Sequence, residues 1–134
     1  MKELRLEAAV NNLDKVIGFI DKELENADCP LKVQIQIDVA VEELFVNVAN
    51  YAYGDKTGDV TVRFELEDGG AAVTFIDGGV PYDPLKKEDP DFSLPVERRP
   101  IGGLGIYMVK KSMDKIDYEY RDGCNILTVH KRFS

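Results

Sequence analysis

The chain is 134 residues long, with 17 Lys and Arg against 25 Asp and Glu, a formal net charge of −8, and 44% hydrophobic residues. That length supports one domain with a real core, so the expected organisation is a single domain over residues 1–134, neither a disordered tail nor a disulfide miniprotein. The acidic balance argues against sequence-independent nucleic-acid binding, which depends on clustered Lys and Arg neutralising phosphates, so any bound phosphate needs a local exception.

Cys29 and Cys124 lie far apart and lack the paired spacing of a zinc or dithiol motif, so both read as reduced thiols. The single histidine, His130, excludes a His-rich metal cluster and reads as a solvent-facing strand residue. No segment reaches the apolar length of a membrane span, and Met1-Lys2-Glu3-Leu4-Arg5 has no apolar signal core behind it. The expected compartment is the cytoplasm, with no membrane partner.

Leu4, Leu6 and Ala8 alternate with polar residues and predict a first strand, after which Asn11 or Asn12 offers a helix cap. Leu13, Val16, Ile17, Ile20 and Leu24 form the stripe of an amphipathic helix ending near Asn26. Pro30 suits the first turn of a second helix, predicted to run to Tyr53 with Gly54 terminating it. Val60, Val62, Phe64 and Leu66 then alternate with polar residues, and Asp68-Gly69-Gly70 turns the chain into a returning strand, Ala71 to Ile76.

Between Asp77 and Gly105 the periodicity stops, and five of the 6 prolines fall there, at positions 81, 84, 90, 95 and 100. A long irregular stretch inside a compact domain is usually a lid or binding loop. Ile106 to Asp114 predict a third helix. A last hairpin follows, with Ile116, Tyr118 and Tyr120 on one face, a turn at Arg121-Asp122-Gly123, and Ile126 to Phe133 returning. The expected fold class is an α+β two-layer sandwich, three helices packed on one face of a mixed, mainly antiparallel sheet.

Three segments carry candidate chemistry. Glu43, Asn47 and Asn50 are spaced i, i+4, i+7 on the otherwise apolar second helix, a polar stripe that either lines a pocket or forms a solvated edge. Asp77-Gly78-Gly79-Val80-Pro81 puts a carboxylate at a strand end beside glycines that permit close backbone approach. Gly102-Gly103-Leu104-Gly105 precedes the third helix, where unpaired N–H groups and the helix dipole suit an anion.

In order and approximate separation, these segments resemble the N, G1 and G2 boxes of the ATPase superfamily of gyrase, histidine kinases and the mismatch-repair protein MutL. The chain most resembles the stand-alone anti-sigma factor serine/threonine kinases, over nearly its whole length. The resemblance implies a Bergerat-type ATP-binding fold, with ATP and Mg²⁺ as cofactors and an ATP lid at residues 83–100. It implies that Asn47 helps hold Mg²⁺ and that Glu43 is the general base. It further implies that Asp77 recognises the adenine amino group and that Gly79 makes room for the base. Gly102, Gly103, Leu104 and Gly105 are placed at the phosphates, and Asn50 joins Asn47 on the nucleotide-facing stripe. Pro81 departs from the glycine many superfamily members carry there; it removes a donor and stiffens the base of the lid. The implied partners are a sigma factor, a small anti-sigma-antagonist protein, or both, and a second copy of the chain. An ATP-gated binding module and a slow ATPase are the alternative functions.

Overall fold

A computed structural model describes residues 1–86 and 104–134. In chain order the elements are β1 (Lys2–Glu7), α1 (Leu13–Asn26), α2 (Leu31–Tyr51), β2 (Asp59–Glu67), β3 (Gly70–Asp77), α3 (Leu104–Ser112), β4 (Lys115–Arg121) and β5 (Cys124–Arg132), with short 3-10 turns at Val10–Asn12 and Pro84–Lys86. The five strands form one sheet in the order β1-β2-β3-β5-β4. Every adjacent pair is antiparallel, so the sheet is not mixed as the sequence led us to expect. The reason is the connection through α3. It delivers β4 to the outer edge, and the hairpin then returns β5 beside β3.

Strand alternation sorts the side chains onto two faces. Val60, Val62 and Phe64 of β2, Val73 and Phe75 of β3, and Leu127 and Val129 of β5 are buried on the helix side. Against them pack Val16, Ile20 and Leu24 of α1, and Ile37, Ala40, Val41, Leu44, Phe45 and Val48 of α2, both sets at helical spacing. Each large aliphatic or aromatic side chain buried this way stabilises the fold by roughly 1.5–3 kcal/mol. The second helix is apolar on its outer side as well: Leu31, Ile35 and Val39 lie exposed there. His130 sits on the opposite sheet face, its Nδ1 2.9 Å from Glu67 and its Nε2 3.3 Å from Asp117. Both cysteines are free thiols.

Three boundaries differ from expectation, each for a local reason. Asn12 does not cap α1 with its side chain; its Nδ2 donates instead to the Glu7 carbonyl at 2.9 Å. The second helix ends at Tyr51 rather than Tyr53, with Ala52 as its C-cap and the Ala52 carbonyl accepting the Val80 N–H at 2.8 Å. The third helix spans Leu104–Ser112 rather than 106 to 114. Asp114 is docked onto β5, its N–H donating to His130 at 2.9 Å and its Oδ2 accepting the Arg132 N–H at 2.7 Å.

Between α1 and α2, Asp21 and Asp38 each keep one buried carboxyl oxygen without a hydrogen-bond partner. Burial, followed by the hydrogen bond and charge of Asp21 and the charge of Glu25, pushes Asp38 from its ordinary 3.8 up to about 8. The folded state therefore holds this proton more tightly than the unfolded chain does. Its stabilising effect is complete below about pH 4, declines as pH rises, and is gone above about pH 8. Asp38→Asn, neutral at every pH, is expected to flatten that decline. We expect it to raise stability at pH 8.5 by on the order of 1 kcal/mol, allowing for water that reaches this half-buried pair, and to change little at pH 4. Urea unfolding at the two pH values checks this; an equal effect at both contradicts it.

Candidate functional site

The site forms where the carboxyl end of β3 meets the last turns of α2. The pleat that buries Phe75 also turns Asp77, two residues on, toward the helices, and Asp77 is only 6% exposed. Its register partner on β5 is Asn125, equally buried at 6% exposed. Among the described residues these are the two buried polar side chains, and they lie side by side. Asp77 Oδ1 accepts the Gly79 N–H at 2.9 Å and the Asn125 Nδ2–H at 2.9 Å.

A cavity opens beside them, lined by Leu44, Asn47, Val48, Phe75, Asp77 and Asn125 among others, with about 30 Å³ of free space. Its walls are mostly apolar, and its few polar groups converge, the usual make-up of a small-molecule pocket. At its mouth exposed Tyr51 and Tyr82 set their rings 6.5 Å apart.

Of the three residues of the helical stripe, Asn47 lines the cavity together with Asp77. Asn50, one turn further along α2, is exposed and stands outside the cavity lining. Glu43, one turn earlier, is half-buried and faces α3 instead. A Cβ on Gly105 would lie 2.0 Å from Glu43 Oε2, so the glycine lets the carboxylate rest on the first turn of α3. That position is the positive end of the helix dipole, which favours a carboxylate or a phosphate. Leu104 supplies the first residue of α3. Gly102, Gly103 and most of the expected lid at 83–100 lie outside the described residues.

Gly79 is required by crowding from a direction the sequence does not reveal. A Cβ there would lie 2.0 Å from the Ala52 carbonyl oxygen, so Gly79 allows the turn after β3 to lie flat on the end of α2. Tyr53 braces the same turn: its hydroxyl accepts the Gly78 N–H at 2.9 Å and donates to the Asp59 carbonyl, and its ring packs against Gly58. Sequence reasoning missed Asn125 and Tyr118 altogether. Asn125 follows a turn glycine in an ordinary strand pattern, and only its pairing with Asp77 across the sheet marks it.

The residues present fit a purine nucleotide. A buried carboxylate suits an exocyclic amine, and the apolar walls of Leu44, Val48, Phe75 and Leu127 suit the faces of a base. The donor set also fits Mg²⁺ as a nucleotide-borne ion. Asn47 offers one neutral oxygen, and among the described residues no group of three or more His, Cys, Asp or Glu is placed to hold a metal. Such an ion is completed by phosphate oxygens and water.

A two-layer sandwich with an acid-floored cavity between the sheet end and the long helix is the architecture of the histidine kinase-like ATPases. The family model for the histidine kinase-like ATPase domain matches residues 6–131, and the chain belongs to that family. It is similar to serine-protein kinase RsbW of Bacillus cereus strain ATCC 10987 / NRS 248, 31% identical over 93 residues that make up 66% of this chain and 58% of that protein. RsbW of Bacillus cereus strain B4264 is 33% identical over the same length. The chain thus matches 58% of the length of these curated relatives. Among solved structures, the RsbU and RsbW domains of Rv1364c from Mycobacterium tuberculosis superpose with a TM-score of 0.67 at 17% identity, covering 98% of this chain and 32% of that one. Acinetobacter baumannii histidine kinase AdeS gives 0.53 at 15% identity, covering 100% of this chain and 70% of that one. At these identities the two structures speak to the fold, and they agree with the α+β sandwich.

Proposed function

We propose that this chain is an ATP-dependent regulatory serine/threonine protein kinase that phosphorylates a small antagonist protein, sequesters a sigma factor, or does both. The observation that carries the reading is the convergence of Asp77 and Asn47 on one cavity while Glu43 rests at the start of α3. The similarity to RsbW, named a serine-protein kinase, supports it. In this reading residues 1–134 form one domain, with a lid at 83–100 over the nucleotide. Among the described residues no helix is long and apolar enough to cross a membrane, which is consistent with action in the cytoplasm. A second copy of the chain is a further proposed partner.

The reading assigns each residue a task. Asp77 accepts the amine of adenine, and Leu44, Val48, Phe75 and Leu127 exclude water from the base. Asn47 presents its side-chain oxygen to Mg²⁺, which when bound neutralises phosphate charge and orients the chain of phosphates. Gly102, Gly103, Leu104 and Gly105 bring backbone N–H groups to the phosphates, and Asn50 stands at the outer end of the same helical stripe. Glu43 takes the proton of the acceptor hydroxyl as its oxygen bonds to the γ-phosphorus and the bond to the ADP oxygen breaks.

Calorimetric titration of the wild type and Asp77→Ala with Mg-ATP tests the pocket. We expect the variant to lose about 10- to 100-fold in affinity, the effect of removing a charged hydrogen-bond partner. Equal affinity in the two proteins contradicts the assignment. A chain that binds ATP and holds a protein without phosphorylating it is the ATP-gated module; one that only releases phosphate is the slow ATPase.

A further inference from the structure

On α2 an apolar row faces away from the sheet. Leu31, Ile35 and Val39 are 70%, 54% and 42% exposed, although aliphatic side chains in a contiguous row are what a folded chain normally buries. At 3.6 residues per turn these three and exposed Glu42 fall on one side of the helix, with Asp38 at the edge toward Asp21 of α1. From Leu31 to Glu42 the row is about 16 Å long, three helical turns. The charges around it are as uneven. Together α1 and α2 hold seven carboxylates against three lysines, and with Asp38 holding a proton at neutral pH three negative charges remain in excess. Among the described residues none of the seven enters an ion pair, whereas the sheet pairs its own charges: Arg5 with Asp59 at 3.3 Å, Lys115 with Asp117 at 3.6 Å, and Arg121 with Glu119 at 3.5 Å.

An apolar row bordered by unpaired carboxylates fits one kind of occupant. We propose that the outer face of α2, with the carboxylates of α1 beside it, is the docking surface for a basic amphipathic helix of a partner protein. Apolar side chains of that helix at i, i+3 or i+4, and i+7 lie on Leu31, Ile35 and Val39, and its Lys or Arg residues meet Glu42 and the acids of α1. Charge argues against two other occupants. A second copy of this face would set acid against acid. An anionic membrane would be repelled, since helices that lie on such membranes border their apolar row with Lys and Arg. Burial of the three aliphatic side chains supplies affinity, and charge brings the partner in and sets its direction. Asn47 lines the cavity and Glu43 faces α3, so a partner held here rests on the helix that carries both. The inference goes beyond the nucleotide reading and does not depend on it.

Two Leu/Lys peptides of the same composition and charge test it, one with its leucines at helical spacing and one scrambled so that no apolar face forms. Their affinities are measured by fluorescence anisotropy on wild type, on Ile35→Gln/Val39→Gln, and on Leu66→Gln, which removes a similarly exposed side chain, 57%, from β2. Glutamine is a good helix former and both α2 sites are exposed, so the double variant is expected to fold; a thermal melt establishes this, and Ile35→Gln alone serves if it does not. We expect wild type and Leu66→Gln to bind the helical peptide about 10-fold or more tighter than the scramble, the scale of burying one or two aliphatic side chains. The double variant is expected to lose that preference. Equal affinity for the two peptides in wild type, or a preference that survives in the double variant, overturns the proposal. Self-association of the wild type in sedimentation that the double variant abolishes gives the face to a second copy and also overturns it, as does binding to phosphatidylglycerol vesicles with the same dependence. Mg-ATP titration of the wild type keeps the two readings apart: a wild type that binds no ATP removes the nucleotide reading and leaves this face standing.

Discussion

Glu43→Gln is expected to lower γ-phosphate transfer by about 10²–10⁴-fold, the usual contribution of a positioned general base, while Mg-ATP affinity stays within about threefold. Glutamine keeps the length and shape of the side chain but cannot take a proton at neutral pH. Glu43 lies one helical turn from Asn47 on α2, and Asn47 lines the cavity that Glu43 does not. Binding and proton transfer are therefore assigned to different residues of one stripe, and a single substitution separates them. Single-turnover transfer from labelled ATP, measured beside a binding titration, reads the two effects independently. Normal transfer in the variant would remove Glu43 from the chemistry, and a parallel loss of affinity would make it a binding residue.

Gly105→Ala is expected to reproduce much of that loss without touching the base. The added methyl would meet Glu43 Oε2 at 2.0 Å and Cδ at 2.7 Å, atoms at the free end of a flexible side chain. The carboxylate, not the backbone, gives way. Alanine is also a better helix residue than glycine by roughly 1 kcal/mol, so unfolding should show equal or higher stability. We expect transfer to fall by about 10- to 100-fold, since small misplacement of a reacting group is costly. Combining the change with Glu43→Gln should add little, because both act on one contact. Additive losses in the double variant would show that Gly105 acts on something other than Glu43. A steep fall in stability would mean that α3 itself cannot accept the methyl group.

The sequence carried the element order well, because it rests on periodicity and turn chemistry. Asp122 and Gly123 occupy the left-handed backbone region that their turn requires, with φ of 54° and 78°. The stripe of Val16, Ile20 and Leu24 is the buried face of α1. What local pattern cannot express is competition for a hydrogen bond from a distant part of the chain. Asp114 is captured by β5, its N–H and its carboxylate both committed there, and the third helix ends before it.

The candidate site divides in the same way. Asp77 was singled out by the resemblance that the three segments carry together, since a carboxylate before two glycines at a strand end is by itself ordinary turn chemistry. Asn47 was singled out in the same way: helical spacing put it on a polar stripe that could equally have been a solvated edge, and the resemblance chose between the two. Asn125 was not, since its importance arises from cross-strand register with a residue 48 positions earlier. Gly79 was singled out, but the demand for glycine comes from Ala52 on another element, a contact no spacing rule contains. The antiparallel course of the whole sheet is likewise a property of the crossover through α3 and not of any one strand.

The most direct measurement of the central claim is capture of partners on the purified wild-type protein from the source organism's lysate, with Mg-ATP and with Mg-ADP. Mass spectrometry then identifies what is held and finds new phosphoserine or phosphothreonine. The account expects a sigma factor retained with ATP, or a small antagonist protein newly phosphorylated, with the phosphorylation lost in Glu43→Gln. The same partners in both nucleotides, with no new phosphorylation, would contradict it.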